Sequence, residues 1–410
     1  MVSVTRARKH LLQVLWLGLV FAQSGRAHGD HHHPAGTHHV LVGNFGSAYN
    51  VTKMLDGTQD VGEGYLYTLA VDAHAKSLTL THTTRAAAAH PWLSVNRKAN
   101  VVYGSGWSPP NNGHRTFSSY KIERDFSVSH LNTVTSCGTK PIANDFIAEA
   151  GEHGVFYGLD FVTPCGEVWA VDKHGAISNK IQALEFANGS TLHGFATTPD
   201  LKYMYLTNLG LNTVHSYALH LPNGTVTALA DFAPSQLGAG PRHAAITSSG
   251  AYFYLIDEEG LRVDQFTIDP EEGALHFTNT SLAVTPFGLT PANASLYWGD
   301  EIVISNDGKT LYASTRSRDI NFPGYISAWS LASDGSLEDT LFILPTPEAG
   351  GTSNILSVSP WDDASKNMLL LTDQDTDFVA LYELQGLELV LLDRVNITGT
   401  NCCSGSVWLN

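Results

Sequence analysis

The first residues in this sequence that are suited to chemistry are histidines near the N-terminus. The segment HGDHHHPAGTHH carries six imidazoles, at His28, His31, His32, His33, His38 and His39. A tract of this composition can gather a metal ion. No cluster of cysteines or carboxylates elsewhere has the ligand spacing that would complete such a site. We therefore interpret the tract as a solvated N-terminal arm, and we expect neither a metal nor a cofactor.

The four cysteines are the second group, and their even number suits disulfide bonds formed in an oxidising compartment. Cys137 and Cys165 flank one segment and are placed to close a loop, whereas a bond between the adjacent Cys402 and Cys403 would be strained. Four cysteines allow three pairings. We favour Cys137–Cys165 and leave the pairing of Cys402 and Cys403 open.

The third group is a set of asparagines that can accept glycans. Six N-x-S/T triplets occur, at Asn50, Asn188, Asn223, Asn279, Asn293 and Asn396. Residues 1–22 combine a basic start, an apolar run and small residues at a cleavage site, which is typical of a secretory signal peptide. The apolar run at 11–22 is shorter than the ~20 residues of a membrane anchor. These features predict a glycosylated protein of the secretory pathway, extracellular or vacuolar, with no membrane contact after signal cleavage.

The composition narrows the class of protein. The 410 residues carry a formal net charge of −16, which disfavours nucleic acid and anionic membranes as partners because both require a basic surface. Only 15% of residues are charged and 43% are hydrophobic, with 37 glycines, as expected of a packed β protein. The sequence contains no nucleotide-binding loop, G-x-S-x-G elbow or zinc motif, so hydride transfer and serine-hydrolase chemistry are disfavoured. A small-molecule substrate therefore remains as the expected partner. The sequence does not determine the oligomeric state.

Short strands must position any site in this chain. Apolar runs rich in Val, Tyr, Leu and Thr are bounded by Gly, Asn, Asp or Pro, which is the pattern of strands and turns. They are residues 38–45, 64–72, 100–107, 167–172, 202–208, 213–219, 251–257, 262–269, 310–316, 325–331, 368–374 and 378–384.

These strands recur in a larger unit of strand, polar turn, strand, tight turn and strand. Residues 191–219, 240–268, 301–331 and 354–384 align with one another, while 90–107 is a partial copy and 156–172 a degenerate one. A repeat of roughly 40–60 residues with several strands each is the pattern of a β-propeller, and roughly 50 residues per blade gives seven blades. We predict an all-β fold, a seven-bladed β-propeller over 38–410 that is closed by its N- and C-terminal strands, after a signal peptide (1–22) and a histidine-rich arm (23–37). Two stacked β-sandwiches are the alternative.

Several motifs resemble those of the lactonase-type seven-bladed propellers. GPRH at 240–243 followed by Glu258 resembles the signature of that family, and 89–95, 192–200 and 305–319 resemble its blade motifs. The group includes 6-phosphogluconolactonase and the fungal 3-carboxy-cis,cis-muconate cyclase. The chain departs from the pattern after GPRH, where it reads AAITSSG instead of continuing with His-Pro-Asp-Gly.

The resemblance implies a catalytic set of His193, Arg242, Glu258 and Arg316. Two guanidinium groups are suited to hold an anionic or enolate-like oxygen, while an imidazole and a carboxylate are suited to move a proton. The structural alternative is that both arginines satisfy carbonyls in the central channel with Glu258 as counter-ion, and that His193 is a buried turn residue.

We further expect His243, His90, Trp92 and Trp107 to form walls of the same cavity. The alternative is that the two histidines cap the edges of blades and that the two tryptophans belong to the blade cores.

The resemblance and the predicted secretory address together favour a cofactor-free cyclisation catalyst of secondary metabolism. The specific hypothesis is a fungal hetero-Diels–Alderase that joins a tropolone quinone methide to a sesquiterpene, since that chemistry needs an apolar pocket and a donor to one oxygen. A lactone hydrolase or lactonising cycloisomerase is the second hypothesis, and a non-catalytic secreted binding propeller is the third.

Overall fold

Among the residues that the computed structural model describes, the regular structure consists of twenty-eight β-strands and one turn of 3₁₀ helix, Ala294–Leu296. The structure describes residues 36–46, 63–107, 115–399 and 402–410. The strands form seven antiparallel sheets of four, called blades 1 to 7 here. The prediction of a seven-bladed β-propeller is therefore confirmed.

Each blade is a meander, and blade 1 is completed by the last strand of the chain. The strands are, for blade 1, β1 (Thr37–Asn44), β2 (Tyr65–Asp72), β3 (Ser77–Arg85) and β28 (Cys402–Trp408); for blade 2, β4 (Trp92–Asn96), β5 (Val101–Gly106), β6 (Thr116–Ile122) and β7 (Val128–Thr135); for blade 3, β8 (Pro141–Ile147), β9 (Val155–Asp160), β10 (Cys165–Val171) and β11 (Ile177–Glu185); for blade 4, β12 (Leu192–Thr197), β13 (Tyr203–Asn208), β14 (Thr213–His220) and β15 (Thr225–Phe232); for blade 5, β16 (Pro241–Ile246), β17 (Tyr252–Asp257), β18 (Arg262–Ile268) and β19 (Leu275–Ala283); for blade 6, β20 (Tyr297–Ile304), β21 (Thr310–Ser317), β22 (Tyr325–Leu331) and β23 (Leu337–Pro345); and for blade 7, β24 (Leu356–Val358), β25 (Met368–Asp373), β26 (Phe378–Gln385) and β27 (Glu388–Asn396).

The ring closes where β28 pairs antiparallel with β1, for example Val40 opposite Trp408. This pairing of the terminal strands was predicted and is confirmed. The innermost strands are β28, β4, β8, β12, β16, β20 and β24, and neighbours in this series contact one another around the axis.

Buried tyrosines join successive blades, which explains why Tyr recurs at one position of the repeat. In four blades the hydroxyl of a tyrosine on the second strand donates a hydrogen bond to a glycine carbonyl in a hairpin of the next blade, at 2.7–2.9 Å. The pairs are Tyr103 with Gly175, Tyr157 with Gly224, Tyr205 with Gly273 and Tyr254 with Gly335. A Cβ at Gly224 would lie 2.4 Å from a methyl carbon of Val155, so only glycine allows the blades to approach this closely there.

The four cysteines form two disulfide bonds. Cys137 and Cys165 are bonded, as predicted, and link the loop after β7 to the start of β10. Cys402 and Cys403, whose pairing the sequence left open, are bonded to each other at the start of β28, where both are buried.

The interpretation of the histidine tract as a solvated arm is wrong for its last two members. His38 is 6% exposed in β1, where its Nε2 lies 2.7 Å from a carboxylate oxygen of Asp363. His39 stacks on Phe126 with ring centroids 3.7 Å apart. These side chains are buried because they lie on the strand that closes the ring. The other histidines of the tract, the signal peptide and Asn50 lie outside the described residues.

The remaining predicted glycan acceptors lie at the surface of the ring. Asn188, Asn223, Asn279 and Asn396 are exposed and Asn293 is half-buried. Glycosylation of these residues stays a prediction. Among the described residues, no helix has the length and apolar character required to cross a bilayer.

Candidate active site

The predicted catalytic side chains come from the start of an innermost strand or the end of the strand next to it. His193 and Arg242 are the second residues of β12 and β16, Arg316 is near the end of β21, and Glu258 directly follows β17. In an antiparallel pair, the start of one strand lies beside the end of the next, as Pro241 lies opposite Asp257. All four side chains therefore reach the same face of the ring.

β-Bulges direct the polar side chains towards this site. The register of β12 shifts between Leu192 and Gly194, that of β16 between Pro241 and His243, and that of β20 between Gly299 and Ile302. The extra residues fall at His193, at Arg242 and at the Asp300–Glu301 step. A bulge bends the strand and redirects a side chain, and bulges are common beside active sites.

The four predicted residues line one cavity of about 190 Å³ on the axis. The cavity has a charged half and an apolar half. Blades 4 to 6 contribute His193, Arg242, Glu258 and Arg316 together with Trp298, whereas blades 1 to 3 contribute Phe45, Pro91, Trp92, Trp107, Ile142 and Phe161. Loop residues 351–353 and Ile355, which precede β24, complete the wall.

Two carboxylates hold the two guanidinium groups in place. Oε2 of Glu258 lies 2.9 Å from Nε of Arg242 and 3.1 Å from Nη2 of Arg316. Oδ1 of Asp300 lies 2.5 Å from Nη1 of Arg242 and 3.7 Å from Nε of Arg316. Asp300 is fully buried, and its other carboxylate oxygen accepts a hydrogen bond from the backbone N–H of Asn354. The two positive charges are thus paired, as buried charges require.

Each arginine keeps a donor for a ligand. Nη2 of Arg242 and Nη1 of Arg316 make no hydrogen bond to any residue that the structure describes, although both side chains line the cavity. Guanidinium nitrogens in this situation bind a carboxylate or enolate oxygen strongly, because the donor is charged and its orientation is fixed.

His193 is neutral at pH 7. Burial lowers the pKa of its imidazole well below 6.5, and the positive charges of Arg242 and Arg316, together with the neighbouring His243, lower this pKa further. Its Nδ1 lies 3.0 Å from Nε2 of His243, and the ring of Phe161 packs edge-on against it at 5.6 Å. A neutral imidazole at a ligand cavity is suited to accept a proton.

Aromatic rings bound the cavity and are fixed by their own hydrogen bonds. Trp92 and Trp107 donate through Nε1 to the carbonyls of Asn144 (3.1 Å) and Pro141 (2.6 Å). The guanidinium groups of Arg316 and Arg318 both lie over the ring of Trp298, at 4.6 Å and 4.2 Å from its centre.

Two of the expected walls are not in contact with the cavity. His90 is fully buried between β5 and β6, where its Nε2 lies 2.6 Å from the hydroxyl of Tyr120 and its Nδ1 lies 3.1 Å from the carbonyl of Ser105. Burial lowers the pKa of His90 to about 4. His243 lies behind His193 and Trp92, at a centroid distance of 4.7 Å from the latter. The expectation that both histidines are walls is wrong, because their neighbours Pro91 and Arg242 take the lining positions.

The sequence analysis missed Asp300, Glu301 and Trp298. All three lie within the first five residues of β20. The aligned repeat of blade 6 began at Glu301, so it contained that residue without marking it, and it stopped short of Trp298 and Asp300. An alignment extended to Trp298 would have included all three.

The chain is similar to known enzymes over most of its length. The family model described as lactonase, 7-bladed beta-propeller, matches residues 53–387. A carboxy-cis,cis-muconate cyclase of Neurospora crassa is 25% identical over 364 residues, which cover 84% of this chain and 96% of the cyclase. Muconate cycloisomerase 1 of Cutaneotrichosporon cutaneum is 24% identical over 345 residues, 77% of this chain and 87% of that protein. The solved structure of a periplasmic gluconolactonase from Pseudomonas aeruginosa has a TM-score of 0.72 at 16% identity, covering 91% of this chain and 99% of that one.

Proposed function

Because the chain belongs to the lactonase family of seven-bladed β-propellers, we propose that it is a cofactor-independent cyclising enzyme that forms or opens a ring through an anionic oxygen. The observation that carries the proposal is the joint presence, in one cavity, of two guanidinium groups with free donors and a neutral imidazole. The names of two relatives, a muconate cyclase and a muconate cycloisomerase, support the lactonising form of this reaction.

The residues divide the work of such a reaction between them. When the ring closes, a substrate carboxylate oxygen adds to a conjugated double bond, and the negative charge moves to a second oxygen that Arg242 and Arg316 bind. The resulting enolate carbon then takes a proton that solvent water supplies. In the ring-opening direction the neutral His193 removes that proton, and the carboxylate leaves as the double bond re-forms. Oriented donors to a developing oxyanion typically supply about 10²–10³-fold in rate each.

The lining favours a substrate with one anionic end and one apolar end. Among the described lining residues, the charged side chains come from blades 4 to 6, whereas those of blades 1 to 3 are aromatic, aliphatic or proline. A polyhydroxylated sugar lactone would lose hydrogen bonds to water against the apolar half without replacing them, which is unfavourable. We therefore rank unsaturated or aromatic acids above sugar lactones as substrates.

The test is turnover by the purified protein of cis,cis-muconate, 3-carboxy-cis,cis-muconate and 6-phosphogluconolactone. Loss of the diene absorbance and NMR of the product report lactone formation. Arg242→Gln should lower kcat/KM by about 10²-fold or more, because an oxyanion donor is lost. Lys202→Gln, an exposed change in blade 4, serves as control. If the protein turns over none of these three compounds, the lactonising form of the proposed reaction is refuted.

The apolar half of the cavity also favours a second candidate, the hetero-Diels–Alder reaction between a tropolone quinone methide and a sesquiterpene. Five aromatic rings could hold two apolar reactants in a reactive pose while an arginine binds the carbonyl of the quinone methide. Generating the quinone methide in the presence of the terpene, and measuring the enantiomeric excess of the adduct with and without protein, tests this candidate. A racemic adduct at the uncatalysed rate would count against it.

A solvent isotope experiment separates the two reactions. The pKa of His193 lies well below 6.5, so base catalysis would be independent of pH through the neutral range, and a flat pH profile there would not identify a pericyclic step. Proton transfer should slow turnover in D₂O, whereas a pericyclic step should not. Tight ligand binding without turnover of any substrate would favour the third possibility, a binding propeller.

The secretory pathway remains our proposal for the location of the protein. Two disulfide bonds and five surface-accessible sequons in the described residues support it.

A further inference from the structure

The proposed ring closure leaves one group of the substrate without an assigned partner. Arg242 and Arg316 bind the oxygen that gains the negative charge, and they are the only arginines or lysines among the described lining residues. The carboxylate that attacks the double bond must also be held in place, because a reactant that rotates freely seldom reaches the reactive geometry. The loop before β24 is the part of the cavity wall that has groups suited to hold it.

Two hydroxyl groups on this loop have no partner in the described part of the chain. Thr352 and Ser353 both line the cavity, and Ser353 is only 2% exposed. Oγ1 of Thr352 is buried without a hydrogen bond, and Oγ of Ser353 makes none to any described residue. Buried hydroxyl groups in folded proteins nearly always have a hydrogen-bond partner. Turning either hydroxyl towards a ligand breaks no hydrogen bond in the protein, so both are available to a substrate.

Backbone hydrogen bonds hold the loop in position beside the arginines. The N–H of Gly350 donates to Oδ2 of Asp373 at 3.0 Å, and that of Thr352 donates to Oε1 of Gln374 at 3.0 Å. Gly350 has a φ of 91°, which favours glycine, and a Cβ at this position would lie 3.0 Å from Cβ of Arg316. The two hydroxyl groups therefore lie on a fixed loop that packs against the oxyanion site.

We propose that Thr352 and Ser353 form the binding subsite for the attacking carboxylate, which makes a dicarboxylic acid the substrate. This inference rests on the proposed function and deepens it. A hydroxyl group of the loop donates a hydrogen bond to the carboxylate oxygen that does not attack, and it keeps its own proton throughout. That oxygen becomes the carbonyl oxygen of the lactone and is still an acceptor, so the hydrogen bond persists from substrate to product.

The neutrality of these two donors suits the reaction. Ring closure removes the negative charge from the attacking carboxylate, so a cation at this place would bind the substrate more tightly than the transition state. A neutral hydroxyl group orients the carboxylate with a smaller preference for its charged form. The two oxygen groups of the substrate then lie at blades 5 to 7, and its hydrocarbon part faces blades 1 to 3. A cis double bond gives a dicarboxylic acid this folded shape.

Calorimetric titration with two non-reactive acids tests the subsite without turnover. Adipate carries a carboxylate at both ends, whereas hexanoate has the same chain length and only one. In the double variant Thr352→Val/Ser353→Ala we expect adipate to bind about 10-fold more weakly or worse, the weight of one hydrogen bond to a charged group, and hexanoate to bind as before. Ser333→Ala, an exposed change in a hairpin of blade 6, is the matched control. Wild-type protein that does not bind adipate, or binds it no better than the double variant, would overturn the proposal.

Thermal unfolding separates a binding role from a structural one. Because neither hydroxyl group has a partner among the described residues, the double variant should melt at the wild-type temperature. A lower melting temperature would contradict the proposal. Loss of adipate affinity in the double variant, together with no turnover of any acid by the wild type, would instead reject the proposed function and leave the carboxylate subsite in place.

Discussion

Replacement of Arg316 by lysine separates the geometry of the oxyanion site from its charge. The guanidinium of Arg316 contacts Glu258 at 3.1 Å, lies 3.7 Å from Asp300 and stacks on Trp298 at 4.6 Å. An ammonium group keeps the charge but has no planar fork, so it cannot contact both carboxylates, stack on the indole and still offer a donor to a ligand.

The expected magnitudes follow from these contacts. Losing one oriented donor to a developing oxyanion should lower kcat by about 10²–10³-fold. Losing the stack on Trp298 should cost about 1 kcal/mol of stability, because the site is largely desolvated. Arg316→Met leaves Glu258 and Asp300 with one cation fewer, and breaking a buried pair in this way should cost about 3–5 kcal/mol. Lysine should thus impair turnover far more than folding, whereas methionine should impair both.

Arg318→Lys is the matched control, since the exposed Arg318 also lies over the ring of Trp298, at 4.2 Å from its centre, and forms no ion pair with a carboxylate among the described residues. It should lose stability by less than about 1 kcal/mol and keep most of its turnover. Thermal unfolding and steady-state kinetics on the substrate identified in the muconate assays measure both effects. Wild-type kcat in Arg316→Lys, or an equal loss in Arg318→Lys, would refute the role given to Arg316.

Three further changes test the fold and its chemistry. Burial and the nearby Asp264 raise the pKa of Asp257 well above 3.8, so the folded state retains a proton that the unfolded state releases. Stability should therefore fall as pH rises from about 4 through the folded pKa, and Asp257→Asn should remove this fall in urea unfolding. Replacing Cys137 and Cys165 together by alanine should lower the free energy of unfolding by about 3–4 kcal/mol, as expected for a crosslink that closes a loop of 28 residues. Urea unfolding measures this loss, and a variant as stable as the wild type would contradict the prediction. In protein secreted from a eukaryotic host, enzymatic removal of N-glycans should lower the mass, and an unchanged mass would contradict the sequon assignments.

The strands that could be predicted from sequence are those packed on both faces. β13 and β25 are buried at every position and β17 at every position but its first, and each appears as an apolar run bounded by turn residues. The outermost strands are mostly exposed or half-buried without a regular alternation, as in β15 and β27, so their hydrophobic pattern is weak. The repeat therefore predicted three strands per unit, and the structure adds a fourth.

The candidate site was predictable where a family motif contained the residue. Arg242 lies within GPRH, and Glu258 follows it at the end of the neighbouring strand. His90 has the same residue type as His193 and lies at a similar place in its repeat, yet a hydrogen bond to Tyr120 holds it in the interior. The direction of a side chain at a strand end depends on a local bulge, and no periodic pattern records a bulge of one residue.

The bulge in β20 couples the two halves of the proposed reaction. Successive residues of a regular strand point to opposite faces, so Asp300 and Glu301 could not both serve one site on a flat sheet. The extra residue between Gly299 and Ile302 lets Asp300 fix the arginines while Glu301 reaches His243. A single irregularity thus brings one carboxylate to the arginines and the other to His243, which lies behind His193. A change that restores regular pairing in β20 would therefore displace the side chains of Asp300 and Glu301 together.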